Sequence, residues 1–277
     1  LQRTDFALGT DAQGVASITS ARPVAITGIY MSGMEGPQLT NLGVRLRPEV
    51  RLGPDGTQIT YKDLRVTGNS TRLISGSGKL TLPGAADKPL LAEGRLDVDV
   101  QALSRQPLFA MALQAEVEAP VRLEADYQLA QGSASIDISR LAVNLFYTDP
   151  EPRLSLQADS KLRVLTRPGR RQLQAGRARG KLTLTVANLT PEPFTKILAE
   201  NGLAFTAANG NAVLASNGKS MSVDTLEPFT VTGIAVHNED GALLHPFTLT
   251  SEFATSMQGD TLQAKLNQLG ITFDQDP

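Results

Sequence analysis

The chain reads as a mainly β protein: a long, curled antiparallel sheet, an open groove or incomplete barrel, with two or three short helices. Three observations predict this. Apolar and polar residues alternate with period two along many stretches, which gives a strand one dry face and one wet face. Turn signals rich in Gly, Pro, Asn and Asp recur roughly every 10 to 20 residues, the pace of a meander of hairpins. The rhythm of unbroken apolar strands and long helices that marks a parallel sheet is missing.

Along the chain, Ile59, Tyr61 and Leu64 are followed, after Gly68, Asn69 and Ser70, by Leu73, Leu80 and Leu82. Leu96, Val98 and Val100 alternate with Asp97 and Asp99, so those carboxylates read as the wet side of a strand rather than a catalytic pair. Residues 104–115 are a helix candidate. Val121, Leu123, Ala125, Tyr127 and Leu129 share one face, with Arg122, Glu124, Asp126 and Gln128 on the other. Ile136 and Ile138 come next. Leu154, Leu156, Ala158, Leu162 and Val164 then alternate with Ser155, Gln157, Asp159, Lys161 and Arg163, and Leu182, Leu184 and Val186 repeat the pattern.

Residues 190–202 predict a short helix, with Thr190 at the N-cap, Pro191 and Glu192 in the first turn, and Gly202 as the stop. Residues 260–270 offer an acidic cap and a helical stripe of Leu262, Leu266 and Leu269, with a strand as the other reading. Residues 1–190 form the main β segment, and residues 191–277 continue the same sheet with short helices across a soft boundary.

Composition removes most chemistry. With no Cys, the chain has no disulfide framework, thiolate nucleophile or zinc ribbon. Two His, His237 and His245, are thin for acid–base work at neutral pH; the first reads as a turn residue and the second as packed near a strand. Gly-Lys at 78–79 and 218–219 lacks the earlier glycine of a phosphate-binding loop. No apolar run reaches the length of a membrane helix. Leu1 in place of Met reads as the start of a partial or processed chain, with any signal or anchor outside it. The formal net charge of -2 disfavours nucleic acid as a partner. No metal or cofactor is expected.

A weak internal echo runs through the chain. Gly94 to Leu103, Gly132 to Leu141 and Gly180 to Leu189 each place apolar residues two apart, then a Leu three beyond the last. Shorter forms end at Leu64 and Leu226. A gap of three inside a period-two strand marks a bulge or corner. The strand, corner and strand of residues 58–68, followed by Gly76-Ser77-Gly78-Lys79-Leu80, together with the units ending at Leu103 and Leu189, resemble AsmA-like and TamB-like envelope proteins. The resemblance covers roughly residues 56–255 and rests on no invariant motif. It implies a repeating β-groove with an aliphatic concave face. It also implies a periplasmic location, an inner-membrane anchor, and work in outer-membrane assembly or phospholipid movement.

Two features carry the functional expectation. The aliphatic positions Leu80, Leu82, Leu96, Val98, Val100, Val121, Leu123, Ile136, Ile138, Leu154, Leu156, Leu162, Val164, Leu182, Leu184 and Val186 are candidates for a lipid-holding groove. Alternation alone suits a closed core equally well. Long strands and an aromatic content of only 5% tilt the reading toward a groove. The second feature is a basic run without an intervening acid, spanning residues 161–181. Within it Lys161, Arg163, Arg167, Arg170 and Arg171 are candidates for anionic headgroups or an acidic partner. The expected function is therefore non-enzymatic lipid shielding, with phospholipid as ligand and an envelope protein as possible partner. The alternative is a structural or protein-interaction module of the envelope.

Overall fold

The computed structural model describes residues 5–12, 14–33, 36–113, 117–166, 173–238, 241–242, 245–259 and 261–273. Among them the chain builds one antiparallel sheet of 18 strands. β1 (Phe6–Thr10) pairs with β2 (Ala16–Ser20), and β2 and β3 (Val24–Gly33) lie end to end along β4 (Gly36–Gly53). β5 (Gly56–Gly68), β6 (Thr71–Pro83), β7 (Leu90–Asp99), β8 (Arg122–Gln131) and β9 (Ser135–Phe146) each pair with the strand before. β10 (Leu154–Ala158) and β11 (Leu162–Thr166) share the place between β9 and β12 (Leu173–Leu189). β13 (Leu203–Ala204) and β14 (Ala207–Asn217) lie along β15 (Ser220–Asn238), and β14 also takes the far edge of β12. β16 (Gly241–Ala242) and β17 (Phe247–Gln258) occupy the other edge of β15, and β18 (Thr261–Phe273) closes the order beside β17. β12 and β14 pair across residue 190, so one ladder runs through both halves of the chain.

Local chemistry explains the hairpins. Asn69 and Ser70 form the two-residue loop between Gly68 and Thr71, both with positive φ (50° and 68°). That is the turn whose twist matches paired strands, and Asn is among the residues that tolerate it best. Gly56, at φ 134°, closes the β4–β5 turn, where an added Cβ would stand 2.1 Å from the Leu82 carbonyl oxygen.

Three of the gaps of three fall on register shifts, whereas the one from Val100 to Leu103 lies in a helix. The ladder slips between Tyr61 and Leu64, in β9 opposite Gln128 and Leu129, and between Val186 and Leu189. Each inserted residue bends its strand and raises the local twist. β1 and β18 end the order without pairing to each other, so the sheet stays open rather than closing into a barrel.

Helical segments gather at one end. α1 (Val100–Ser104) starts where β7 stops, its first turn capped by the Asp99 carboxylate accepting from the Ala102 N–H at 2.8 Å. α2 (Pro107–Leu113) follows, so the 104–115 candidate becomes two short helices that begin earlier than predicted, its residues 114–115 lying outside the described residues. In the 190–202 candidate a 3-10 turn over Glu192–Phe194 leads into α3 (Thr195–Glu200). Thr190 caps nothing there; its carbonyl accepts from the Tyr147 hydroxyl at 2.6 Å. Gly68 shares a face with Val66, and the Gln106 and Leu73 side chains occupy the space its Cβ would take. The α1–α2 segment therefore folds over that face. Glu118 N–H donates to the Pro193 carbonyl at 3.0 Å, tying the two helical caps together.

Two sequence expectations fail. In the 260–270 candidate, residues 261–270 are strand, not helix, and residue 260 lies outside the described residues. The ladder slips at Asn267, so Leu262, Ala264 and Leu266 share a face with Leu269, Ile271 and Phe273 across a gap of three that imitates a helical stripe. His237 lies in β15, paired with Ala242, rather than in a turn.

Candidate functional site

Directly opposed residues in an antiparallel pair point to the same side, so register lists one face of the sheet row by row. The first row, nearest the helical end, runs Val44, Val66, Ile74, Val98, Leu123, Leu145, Leu154, Val186. The next runs Leu64, Gly76, Leu96, Ala125, Val143, Leu156, Leu184, Ala212. Farther along lie Ile59, Leu80, Ala92, Leu129, Ile138 and Leu162. The result is an aliphatic ladder crossing strand after strand without a charged residue in these rows.

Fourteen of the sixteen groove candidates stand on this face: Leu80, Leu82, Leu96, Val98, Leu123, Ile136, Ile138, Leu154, Leu156, Leu162, Val164, Leu182, Leu184 and Val186. Val100 does not, because it opens α1. Val121 precedes β8 and is 2% exposed, which places it in the packed helical end. With Leu73, Ala102, Ser104, Gln106, Val117 and Phe146 it accounts for half of the buried residues among those described. The fourteen face residues are half-buried, Leu82 slightly more open at 36%.

The accessible area agrees. A compact 29.5 kDa protein exposes about 11,500 Å², whereas this chain exposes 17318 Å². Among the described residues, only the helical end packs against the aliphatic face, and the sheet is not a closed barrel.

Register also adds residues that the candidate set lacked. Tyr61 and Tyr127 flank Gly78 and Gly94 in a row between the second and last described above. A Cβ on Gly78 would meet the Tyr61 ring at 2.6 Å, and one on Gly94 would meet the Tyr127 hydroxyl at 3.0 Å. Each ring thus lies down over a glycine, and the two hydroxyls share a hydrogen bond of 3.0 Å. Burial, then that bond, pushes the Tyr61 phenol above its usual range. Phe229 covers Gly210 in the same way and stacks on Phe253 with ring centroids 6.4 Å apart. The signal was present: Tyr127 sits in the period-two run, and the glycines opposite it mark where a side chain from a neighbouring strand needs room.

The opposite face is polar and laced with ion pairs. Arg122 holds Asp97 at 3.3 Å and Glu124 at 2.6 Å, and Arg140 holds Asp126 at 2.8 Å. Asp99 caps α1, and Asp97 accepts from Arg122. The basic candidates divide. Asp137 on β9 accepts from Lys161 at 2.9 Å and from Arg163 at 2.6 and 2.9 Å. The Arg163 hydrogen bonds above all hold the Asp137 carboxyl well below the usual carboxylate range. Lys181 approaches Asp159 at 3.6 Å. The run without an acid in sequence is therefore partly neutralised across strands. Arg167, Arg170 and Arg171 lie outside the described residues.

Among the described residues no group of three metal-ligating side chains converges, and no helix is long and apolar enough to cross a membrane. Compared with family models, with curated proteins and with solved structures, the chain matches none.

Proposed function

We propose that the protein is a non-enzymatic lipid-binding module that shields acyl chains on the aliphatic face of its sheet. Its work would lie in phospholipid movement between membranes or in outer-membrane biogenesis. One observation carries the reading: the aliphatic ladder runs across the sheet, and among the described residues nothing covers it beyond the helical end. Exposed apolar area on this scale marks a binding surface. Each methylene taken from water contributes about 0.8 kcal/mol, so ten methylenes supply about 8 kcal/mol, the size of micromolar affinity. Rungs from β4 to β18 repeat at about 4.8 Å and span about 50 Å, longer than any single acyl tail. On this reading the protein acts in the periplasm, held to the inner membrane as the AsmA-like and TamB-like proteins it resembles are.

Mass spectrometry of lipids carried by the natively purified protein tests the proposal. The parent protein retains phospholipid, and the Leu123→Asp, Leu156→Asp double variant loses it while its far-UV circular dichroism keeps the β signature. Delipidated parent protein that takes up no phospholipid, or wholesale unfolding of the variant, overturns the proposal.

A second reading, a protein-interaction module of the envelope, draws on a different observation. β18 is a 13-residue edge strand whose apolar side chains remain exposed, Leu262 at 69% and Phe273 at 56%. Such an edge offers unpaired backbone groups to another strand.

A further inference from the structure

The polar face holds a second cluster of unusual charge, on β4, β5 and β6. Arg45 and Arg65 stand directly opposite each other in register, and Arg65 in turn faces Ser75. Like charges opposed across a strand pair destabilise a sheet. Arg72, on the same side of β6, joins them around an open cleft of ≈ 400 Å³ that Arg47, Ser75 and Ser77 also line.

Of the nearby carboxylates, Asp63 also lines the cleft, and both it and Asp97 are engaged by other arginines. Asp63 approaches Arg47 at 3.5 Å, and Asp97, opposite Ser75, is held by Arg122 at 3.3 Å. Arg45, Arg65 and Arg72 have no ion-pair partner among the described residues. Elsewhere on this face the sheet places acids against its bases, as at Asp137 and Glu124. Here one acid, Asp63, serves a cleft with four arginines.

We propose that this cleft binds a phosphate-bearing anion. A guanidinium presents a planar fork of donors that matches phosphate oxygens two at a time. Three unpaired guanidiniums call for a ligand of charge near -2 to -3, which a phosphomonoester or paired phosphates supply and a single carboxylate does not. The Ser75 and Ser77 hydroxyls add neutral donors at the rim. The site lies on the face away from the aliphatic ladder, so it stands independently of acyl-chain binding. The phosphate belongs either to a free solute or to a lipid headgroup.

Titration calorimetry of the whole protein with inorganic pyrophosphate, and flotation with phosphatidylcholine vesicles containing phosphatidic acid, distinguish these sources. The parent protein binds at least one probe. Arg45→Gln, Arg65→Gln and Arg72→Gln together weaken that binding at least tenfold, while Arg51→Gln, whose parent residue pairs with Glu49 outside the cleft, stays within twofold. Pyrophosphate binding assigns the site to a soluble phosphate; vesicle binding without it assigns the site to a headgroup. Arg65→Lys keeps the charge but not the fork, so it weakens binding with an unchanged melting temperature, and Arg65→Gln melts no lower than the parent. Binding of neither probe, equal binding by the triple variant, or a lowered melting temperature for Arg65→Gln overturns the proposal.

Discussion

Asp137 shows how single side chains tune the polar face. It accepts hydrogen bonds from both Lys161 and Arg163, and its carboxyl titrates far below an unperturbed aspartate. A depressed carboxyl pKa contributes stability at pH values above about 4, and that contribution is lost as pH falls toward the folded-state value. Asp137→Asn therefore flattens the acid limb of the stability curve below about pH 4 and leaves two cations facing a neutral amide at pH 7. Thermal melts of parent and variant across pH 2 to 7 check this; identical acid limbs would refute it. Gly78 is constrained differently. A methyl group there would stand 2.4 Å from the Tyr61 hydroxyl and 2.6 Å from the Glu93 carbonyl oxygen. Overpacking of this kind costs about 1 to 3 kcal/mol, so Gly78→Ala lowers the urea midpoint by that equivalent, whereas Ala on the open turn residue Gly132, 3.7 Å from its nearest neighbour, changes little.

At the scale of elements, β18 is a long edge strand with little in its sequence to protect it. Natural edge strands are usually short, charged or covered. β18 has 13 residues, and Lys265 is its single charge. Leu262, Leu266, Leu269, Ile271 and Phe273 are all exposed along it. Self-association at this edge follows, and Leu266→Lys with Leu269→Lys suppresses it: light scattering at increasing concentration shows growing particles for the parent and a constant size for the variant. Equal growth in both would place the association elsewhere. The same strand shows why local periodicity misled. Leu262, Leu266 and Leu269 have the spacing of a helix face because a bulge at Asn267 inserts one residue into a period-two pattern. Nothing in residues 260–270 by themselves records that slip; it exists only relative to β17. Where the same gap of three recurred beside more alternation, at Leu64, Leu141 and Leu189, the bulge was legible.

The whole molecule is a meander in which each rung touches chiefly the rung before and after it. Stability in such arrays is close to a sum of rung and nearest-neighbour contributions, so ends open before the middle. Hydrogen exchange should be fastest in β1 and β18 and slowest across β6 to β9, beside the buried cluster of Leu73, Ala102, Val117 and Val121. Uniform protection across the sheet would contradict this. The open edges and the uncovered ladder have one origin. An antiparallel sheet of this length has aliphatic side chains enough to coat one face, yet among the described residues sets no second layer against them beyond α1, α2 and the segment around Pro193.

The chain alone therefore determines the strands, their dry faces and most of the ladder, because period-two alternation is a local property that each segment carries with it. Leu123, Leu156 and Leu184 were identifiable that way before any pairing was known. Tertiary structure decided what alternation cannot encode. It showed that the dry face lies open and assigned Val100 and Val121 to the helical end. It laid Tyr61 and Tyr127 over glycines of neighbouring strands, and it neutralised Lys161 and Arg163 with an acid more than twenty residues away. It also brought Arg45, Arg65 and Arg72 together around a cleft whose one acid, Asp63, pairs with Arg47 instead. The physical reason is the same in each case: burial, opposition and charge balance are relations between strands, and register sets them.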